Sequence, residues 1–434
     1  MHRLITLFVA ALCLLPAAGG ADGLPSYYDS YLGSKNAEIR SAAEKSLDGF
    51  LFWTDSHSSH NAGRTGKVIR RVLEGVSSPK VIFGGDAITN FGDIDSCWKK
   101  QQLMEDDVRA VARFYRARGN HDLTGKTFAE KRPYTFSQEV TGRMFRESTT
   151  SEGVVRNPAD PGACYCYFDE PSARLRYLIF DTTDEVRSED VFGLKTGIGK
   201  KQLAWMAEEA VLGAPEGYSL VAVSHIADLK ALGDLLGAVN AHTAYSRWDF
   251  SKRPDLRVLF SIGGHSHFDF NRFTGGVPTI TCASDAAYKD YAMDPFFEGD
   301  IPSRKGSVRE CCVSYISIAR DLSRVSLIRV GAGVDASFVL KPVTVRPGRK
   351  VKLRSSLKDV ARWDIYDSKA SSFAKYKKLG IPSPNGLKGR MGLVREMAAI
   401  DASGRVRGLS EGEAVAVAIS SSGEREFFFI RVAE

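Results

Sequence analysis

Five histidines and a short set of carboxylates stand where apolar, strand-like runs give way to loops. In chain order they are Asp55-Ser-His57 after LFWT, Gly85-Asp86 after KVIFG, Gly119-Asn120-His121-Asp122 after RAR, His225 after LVAVS, and His265-Ser-His267 after a glycine pair. One DxH or HxH says little, because such short patterns arise by chance. The ordered set says more. Imidazoles, carboxylates and one amide, each at a strand end, are the parts of a two-metal hydrolytic site.

Something must bring these residues together, and the chain between them alternates in the way an open α/β sheet requires. LFWT leads into a polar loop. Val68, Ile69, Val72, Leu73 and Val76 then recur at helical spacing, and KVIFGG reads as a second buried strand, which makes a βαβ unit. A second unit follows, with Trp98, Met104, Val108, Val111, Ala112 and Tyr115 on one helical face. YCYFDEPSARLRYLIFDTTD predicts a hairpin turning at EPSA. KKQLAWMAEEAVLG predicts a helix closed by Gly213, and YSLVAVS, RVLFSIGG and VPTITCAS predict further strands. In such sheets the strand ends converge, and ligands bind there.

The order DxH, GD, GNHD, H, GHxH resembles the calcineurin-like metallophosphoesterase superfamily over roughly residues 50 to 285. The resemblance implies a two-sheet α/β sandwich flanked by helices. It also implies that Asp55, His57 and His267 hold one metal, that Asn120, His225 and His265 hold a second, and that Asp86 bridges them. His121 is then the catalytic residue, with Asp122 placed to orient it. Nitrogen and oxygen ligands suit divalent manganese, iron, zinc or nickel, and the lack of cysteine or methionine ligands argues against Cu(I). Two such ions against two carboxylates leave a positive site that draws in a small phosphorylated substrate, with a metal-held hydroxide as nucleophile.

Departures from relatives narrow the class. Purple acid phosphatases carry a tyrosine three residues after the bridging aspartate and lack the histidine found here at 57. This chain has Thr89 at the tyrosine position, so an Fe(III)-tyrosinate centre is not expected. The 5'-nucleotidase relatives have GNHE and a large C-terminal domain, which also fits poorly. At the mouth of the site, Asn61 and Arg64 are the candidate substrate-binding residues. Arg64 either grips phosphate oxygens as a fork or points to solvent at a helix start. Asn90, Asp93 and Asp95 read as turn and cap residues.

At 434 residues the chain is long for one domain, and a boundary is expected. Residues 1–20 read as a secretory signal: Arg3, an apolar run over 4–18, then small residues. That run is shorter than the ~20 residues a membrane span needs, so an integral membrane protein is not expected and export is. Residues 45–340 form the expected catalytic domain. After about 340 the βα alternation stops, and KVKLRS, RWDIYD, AVAVAIS and EFFFIRV predict an all-β module, interrupted by a basic loop over 369–390. MAAIDASGRVRGLSEGEAVAVAIS resembles the end of a bacterial Ig-like group 2 domain, giving an expected β-sandwich over 341–434 that spaces, adheres or caps. The net charge of +7 comes from dispersed lysines and arginines, which suits small anions and does not support dedicated nucleic-acid binding. Cys97, Cys164, Cys166, Cys282, Cys311 and Cys312 allow many pairings, and the sequence chooses none.

The resulting expectation is an exported bimetal phosphoesterase, leaning to monoesters because residual positive charge favours a dianion. Its alternatives are a phosphodiesterase of sphingomyelinase-like or cyclic-nucleotide type, and a non-catalytic surface protein built on a phosphoesterase shell.

Overall fold

Two β-sheets pack face to face, and the strands that carry the motifs lie at one end of the first sheet and in the middle of the second. The computed structural model describes residues 23–88, 94–122, 151–184, 196–286, 293–294, 296–297, 299–368 and 395–434. The expected signal segment, Thr89, Asn90, Asp93, the Asp95 side chain and the basic loop 369–390 lie outside the described residues.

Among the described residues the first sheet has nine strands and the second seven. From one edge those of the first are β3 (Arg113–Arg116), β2 (Lys80–Phe83), β1 (Ser46–Trp53), β13 (Cys312–Ala319), β14 (Arg324–Gly331), β15 (Ala336–Val345), β21 (Arg425–Val432), β20 (Gly412–Ser420) and β17 (Val360–Asp367). Those of the second are β4 (Val155–Arg156), β5 (Cys166–Glu170), β6 (Leu175–Ile179), β7 (Ser219–Val223), β10 (Arg257–Gly263), β12 (Val277–Thr281) and β11 (Arg272–Thr274). A three-stranded sheet of β16 (Lys350–Lys352), β19 (Arg405–Gly408) and β18 (Ala398–Ile400) lies near the C-terminus, and β8 (Ala244–Tyr245) pairs with β9 (Trp248–Asp249).

Strands β1, β2 and β3 run parallel, as do β6, β7, β10 and β12. Both of their faces are covered, which is why FLFW of β1 and SLVAV of β7 are apolar without alternation. Inward, Phe50, Phe52, Tyr115, Tyr177, Val223 and Phe260 share one core; Tyr115, Phe168 and Tyr177 stack through it at ring separations of 3.7 and 4.7 Å. Outward, α1 (Asp29–Lys45), α2 (Ala62–Val72) and α3 (Ile94–Arg109) cover the first sheet, while the helical run from Lys200 to Leu212 and the helix Lys230–Ala241 cover the second. The βαβ units and the β5–β6 hairpin form as expected. Tyr115 is a correction: α3 stops at Arg109, and Tyr115 belongs to β3, where it serves the inter-sheet core instead of a helix face.

The boundary expected near residue 340 falls inside β15. Ala336–Val339 pair with β14 on one side and β21 on the other, and Val343–Val345 carry the β21 pairing on, so the C-terminal strands continue the catalytic sheet. Tyr366, Val415, Val417, Phe427 and Phe429 enter the same core as Phe50 and Tyr177. On the other face, Ile365, Ala416, Phe428 and Ile430 pack with Leu353, Ala398 and Val406 into a small sandwich. The described residues of the C-terminal region are thus β-strands and connecting loops, joined edge to edge with the first sheet. Cys166, Cys282, Cys311 and Cys312 are buried free thiols, Cys164 is buried, and the Cys97 side chain lies outside the described residues. No helix among the described residues is long and apolar enough to cross a membrane.

Candidate metal centre

The C-terminal ends of β1, β2, β3, β7 and β10 meet at one edge of the sandwich, where backbone hydrogen bonds zip the loops together. Asp55 N–H donates to Gly85 O at 2.9 Å, His57 N–H to Asp86 O at 3.0 Å, and Gly264 N–H to His225 O at 2.9 Å. Glycine is required where these loops cross. A Cβ on Gly119 would collide with the amide and carboxylate of Asp86, and one on Gly264 with the carboxylate of Asp55.

Each central carboxylate has one oxygen fixed by an amide and one left over. Asp55 Oδ2 accepts from His265 N–H at 3.0 Å, a link between the two sheets, and Asp86 Oδ1 accepts from His121 N–H at 2.7 Å. Asp55 Oδ1 and Asp86 Oδ2 are buried with no hydrogen-bond donor among the described residues. Imidazole nitrogens face them instead: His267 Nε2 is 3.4 Å from Asp55 Oδ1, and His225 Nε2 is 3.1 Å from Asp86 Oδ2. His57 Nε2 and His267 Nε2 stand 3.1 Å apart. His225 Nδ1 lies 2.9 Å from Gly84 O; donating there fixes the tautomer and leaves the Nε2 lone pair aimed at Asp86 and at Asn120 Oδ1, 3.0 Å away. His265 Nδ1 is 2.9 Å from the same Asn120 oxygen.

Acceptors buried against acceptors repel unless a cation lies among them. Two groups form, Asp55–His57–Asp86–His267 and Asp86–His225–His265, each with ligand atoms within 4.8 Å of one another, and Asp86 belongs to both. The donor set, with hard oxygens and imidazole nitrogens, fits divalent metal ions. Protonation carries the same message when a proton on His225 Nε2 stands where a cation would. Burial opposes a charged His225, yet Asp86 and Asp55 outweigh it and lift the group to about 10; burial opposes an ionised Asp55, yet His225 and His267 hold it down to about 2. Burial drives His57 the other way, to about 4. The site thus demands positive charge at its centre while keeping some imidazoles neutral.

The backbone is strained at this edge. Asp55, His57, Asp86, His265 and His267 all have φ between 47° and 70°. Such conformations cost on the order of 1–3 kcal/mol each and persist where the surroundings fix them, typically at functional sites. Asp122 supplies part of that fixing. The expectation gave its carboxylate to His121, but its hydrogen bonds run to the amides of Asp86, Ala87, Ile88 and Gly119, at 3.1, 2.8, 3.3 and 2.9 Å. Asp122 therefore sets the turn that presents Asp86. His121 is half-buried at the rim, its ring 4.9 Å from that of His57.

The two candidate substrate residues take structural positions. Asn61 is fully buried; its Nδ2 donates to Asp285 O at 2.6 Å and to Thr65 Oγ1 at 3.2 Å, and its Oδ1 accepts from Ser59, which fastens the start of α2 to the loop after β12. Arg64 donates through Nη1 to both oxygens of the buried Glu310, at 2.8 and 3.0 Å, with its side chain 43% exposed, so it is anchored rather than a free solvent arm. Asp181 escaped sequence reading. It follows β6 as Asp55 follows β1, and its carboxylate, 2.5 Å from Arg118 Nη2, ties the residue before Gly119-Asn120 to the second sheet. Its signal was the run LIFDTTD, a strand closed by an aspartate.

Residues 50–269 match the family model for calcineurin-like phosphoesterases. No curated protein matches the chain significantly. Among solved structures the chain is similar to a dimetal phosphatase from Danio rerio, with 11% identity and a TM-score of 0.46 over 68% of this chain and 100% of that one. It is also similar to PhoD, at 11% and 0.40 over 67% and 69%. A third is the phosphopantetheinyl hydrolase of Mycobacterium tuberculosis, at 13% and 0.33 over 54% and 89%.

Proposed function

Because the chain belongs to the calcineurin-like phosphoesterase family and is a phosphoester hydrolase, we propose that it works with two divalent cations sharing Asp86, and that it prefers phosphomonoesters. The observation that carries this is the pair of orphaned buried oxygens, Asp55 Oδ1 and Asp86 Oδ2, each facing imidazole nitrogens. Asp55, His57 and His267 would hold one ion, Asn120, His225 and His265 the other, with Asp86 common to both. When bound, such ions acidify water and neutralise charge building on phosphorus and the leaving oxygen.

The rest is the work of the protein's own groups. Asp55 and Asp86 supply two negative charges, fewer than two divalent ions carry, so the site stays positive and attracts a dianionic monoester. His121, at the rim beside His57, carries the proton needed by the departing alkoxide. Gly84 O and the Asp122 carboxylate hold His225 and the Asp86 turn in place, so these groups need not reorganise during reaction. We also place the chain outside the cytoplasm, on the strength of the apolar run over 4–18 behind Arg3.

Purified protein reconstituted with Mn(II), Zn(II) or Fe(II) should hydrolyse p-nitrophenyl phosphate faster than its bis ester. Asp86→Asn should lower kcat by roughly 100-fold or more. A faster rate on the bis ester would replace the monoester reading with a diesterase. No hydrolysis of either, with the variant identical to the parent, would remove the enzymatic reading.

A further inference from the structure

We propose that Arg329, acting through Asp269, positions the loop that carries His265 and His267 and thereby sets how tightly the Asp55–His57–His267 half of the centre binds a divalent cation. The inference rests on the metal reading above and adds a residue to it from a strand far from any motif. Arg329 lies on β14 in the first sheet and is 3% exposed. Its Nη2 donates to Asp269 Oδ1 and Oδ2 at 2.8 and 2.7 Å, and its Nη1 donates to Ser314 Oγ at 2.8 Å on β13. Asp269 is two residues beyond His267, on the second sheet's loop.

From Asp269 the constraint spreads over hydrogen bonds. Its Oδ1 also accepts from Ala283 N–H at 2.9 Å. The next residue, Ser284, donates its N–H to His267 O at 3.3 Å and its Oγ to Asp55 O at 2.8 Å. One guanidinium thus fastens both chain segments that present Asp55 and His267, residues that come from opposite sheets. Stability alone gives little reason for such a pair, since buried ion pairs are often no better than apolar packing. Directionality does give one, because a planar guanidinium can hold Asp269 and Ser314 at fixed angles at once. Groups that orient ligands in this way typically change metal affinity by 10–100-fold when replaced.

The test is Mn(II) titration of the metal-depleted full chain by calorimetry, together with thermal melting, on the wild type, Arg329→Lys and the double variant Asp269→Asn/Arg329→Met. The double variant removes both charges and so should melt near the wild type, yet bind one Mn(II) at least tenfold more weakly, with the other site within threefold. Arg329→Lys keeps the charge, but a single ammonium cannot hold Asp269 and Ser314 together, so it should show the same selective loss; it decides the matter should the double variant not fold. Wild-type affinity at both sites in Arg329→Lys, or in a double variant with wild-type melting, overturns the positioning role alone. A wild type that binds no Mn(II) overturns the metal reading with it.

Discussion

The ligand edge and the C-terminal strands were built under opposite constraints. At the edge, chemistry fixes residue types and the backbone yields: five of the seven proposed ligands adopt positive φ so that their side chains converge. In the C-terminal region, among the described residues, positive φ is confined to glycines, and no proposed ligand lies there. Its strands β17, β20 and β21 simply prolong the catalytic sheet and lend Tyr366, Val415, Phe427 and Phe429 to its core. A site with strained ligands needs a stiff support, and here the support includes the part of the chain that carries no ligand.

The sharpest way to break this comparison is to separate the regions. A chain ending at residue 340 cuts β15 within its pairing to β21, removes that partner strand and strips those side chains from the core, each worth roughly 1.5–3 kcal/mol when buried. We expect it to be insoluble or unfolded by circular dichroism; a cooperative melt at the full-length Tm would mean that the C-terminal strands form an independent domain after all.

A smaller effect is expected at Arg64. Arg64→Ala leaves the buried Glu310 with its bonds from Tyr27 Oη and Gly306 N–H only partly satisfied, which should cost about 1–3 kcal/mol in unfolding free energy. KM for a phosphomonoester should stay within about twofold of wild type. A tenfold rise in KM at unchanged stability would return Arg64 to the substrate.

The smallest effect concerns Asp285, whose carboxyl burial lifts to about 8. Its folded form keeps its proton while the unfolded form ionises near pH 4, so the folded state binds more protons between those values. Stability therefore falls as pH rises from about 4 to about 8. Asp285→Asn should flatten that decline in Tm; parallel curves for variant and parent would contradict it.

These outcomes bear on what was legible in the sequence. Asp55, His57, Asp86, Asn120, His225, His265 and His267 stood out because ligation restricts residue type and because each follows an apolar strand. The parallel strands were visible for a related reason, since burial on both faces gives unbroken apolar runs. Partners were not visible. A strand such as FFFIRV looks the same whether it extends an existing sheet or founds a new one, and here it extends the first sheet by pairing in parallel with β15, so the end of βα alternation near 340 did not mark the end of that sheet. Arg64 and Asn61 look like site residues because they follow a motif closely, yet their partners, Glu310 and Asp285, lie more than 220 positions away. Asp122 sits beside His121 in sequence, but its hydrogen bonds run to the neighbouring loop.

Anomalous diffraction from crystals grown with Mn(II) tests the central claim most directly. The account predicts two peaks about 3.5–4 Å apart, both touching the Asp86 carboxylate, one also touching Asp55, His57 and His267 and the other Asn120, His225 and His265. Peaks elsewhere, or an Asp86 carboxylate in contact with neither, would contradict it.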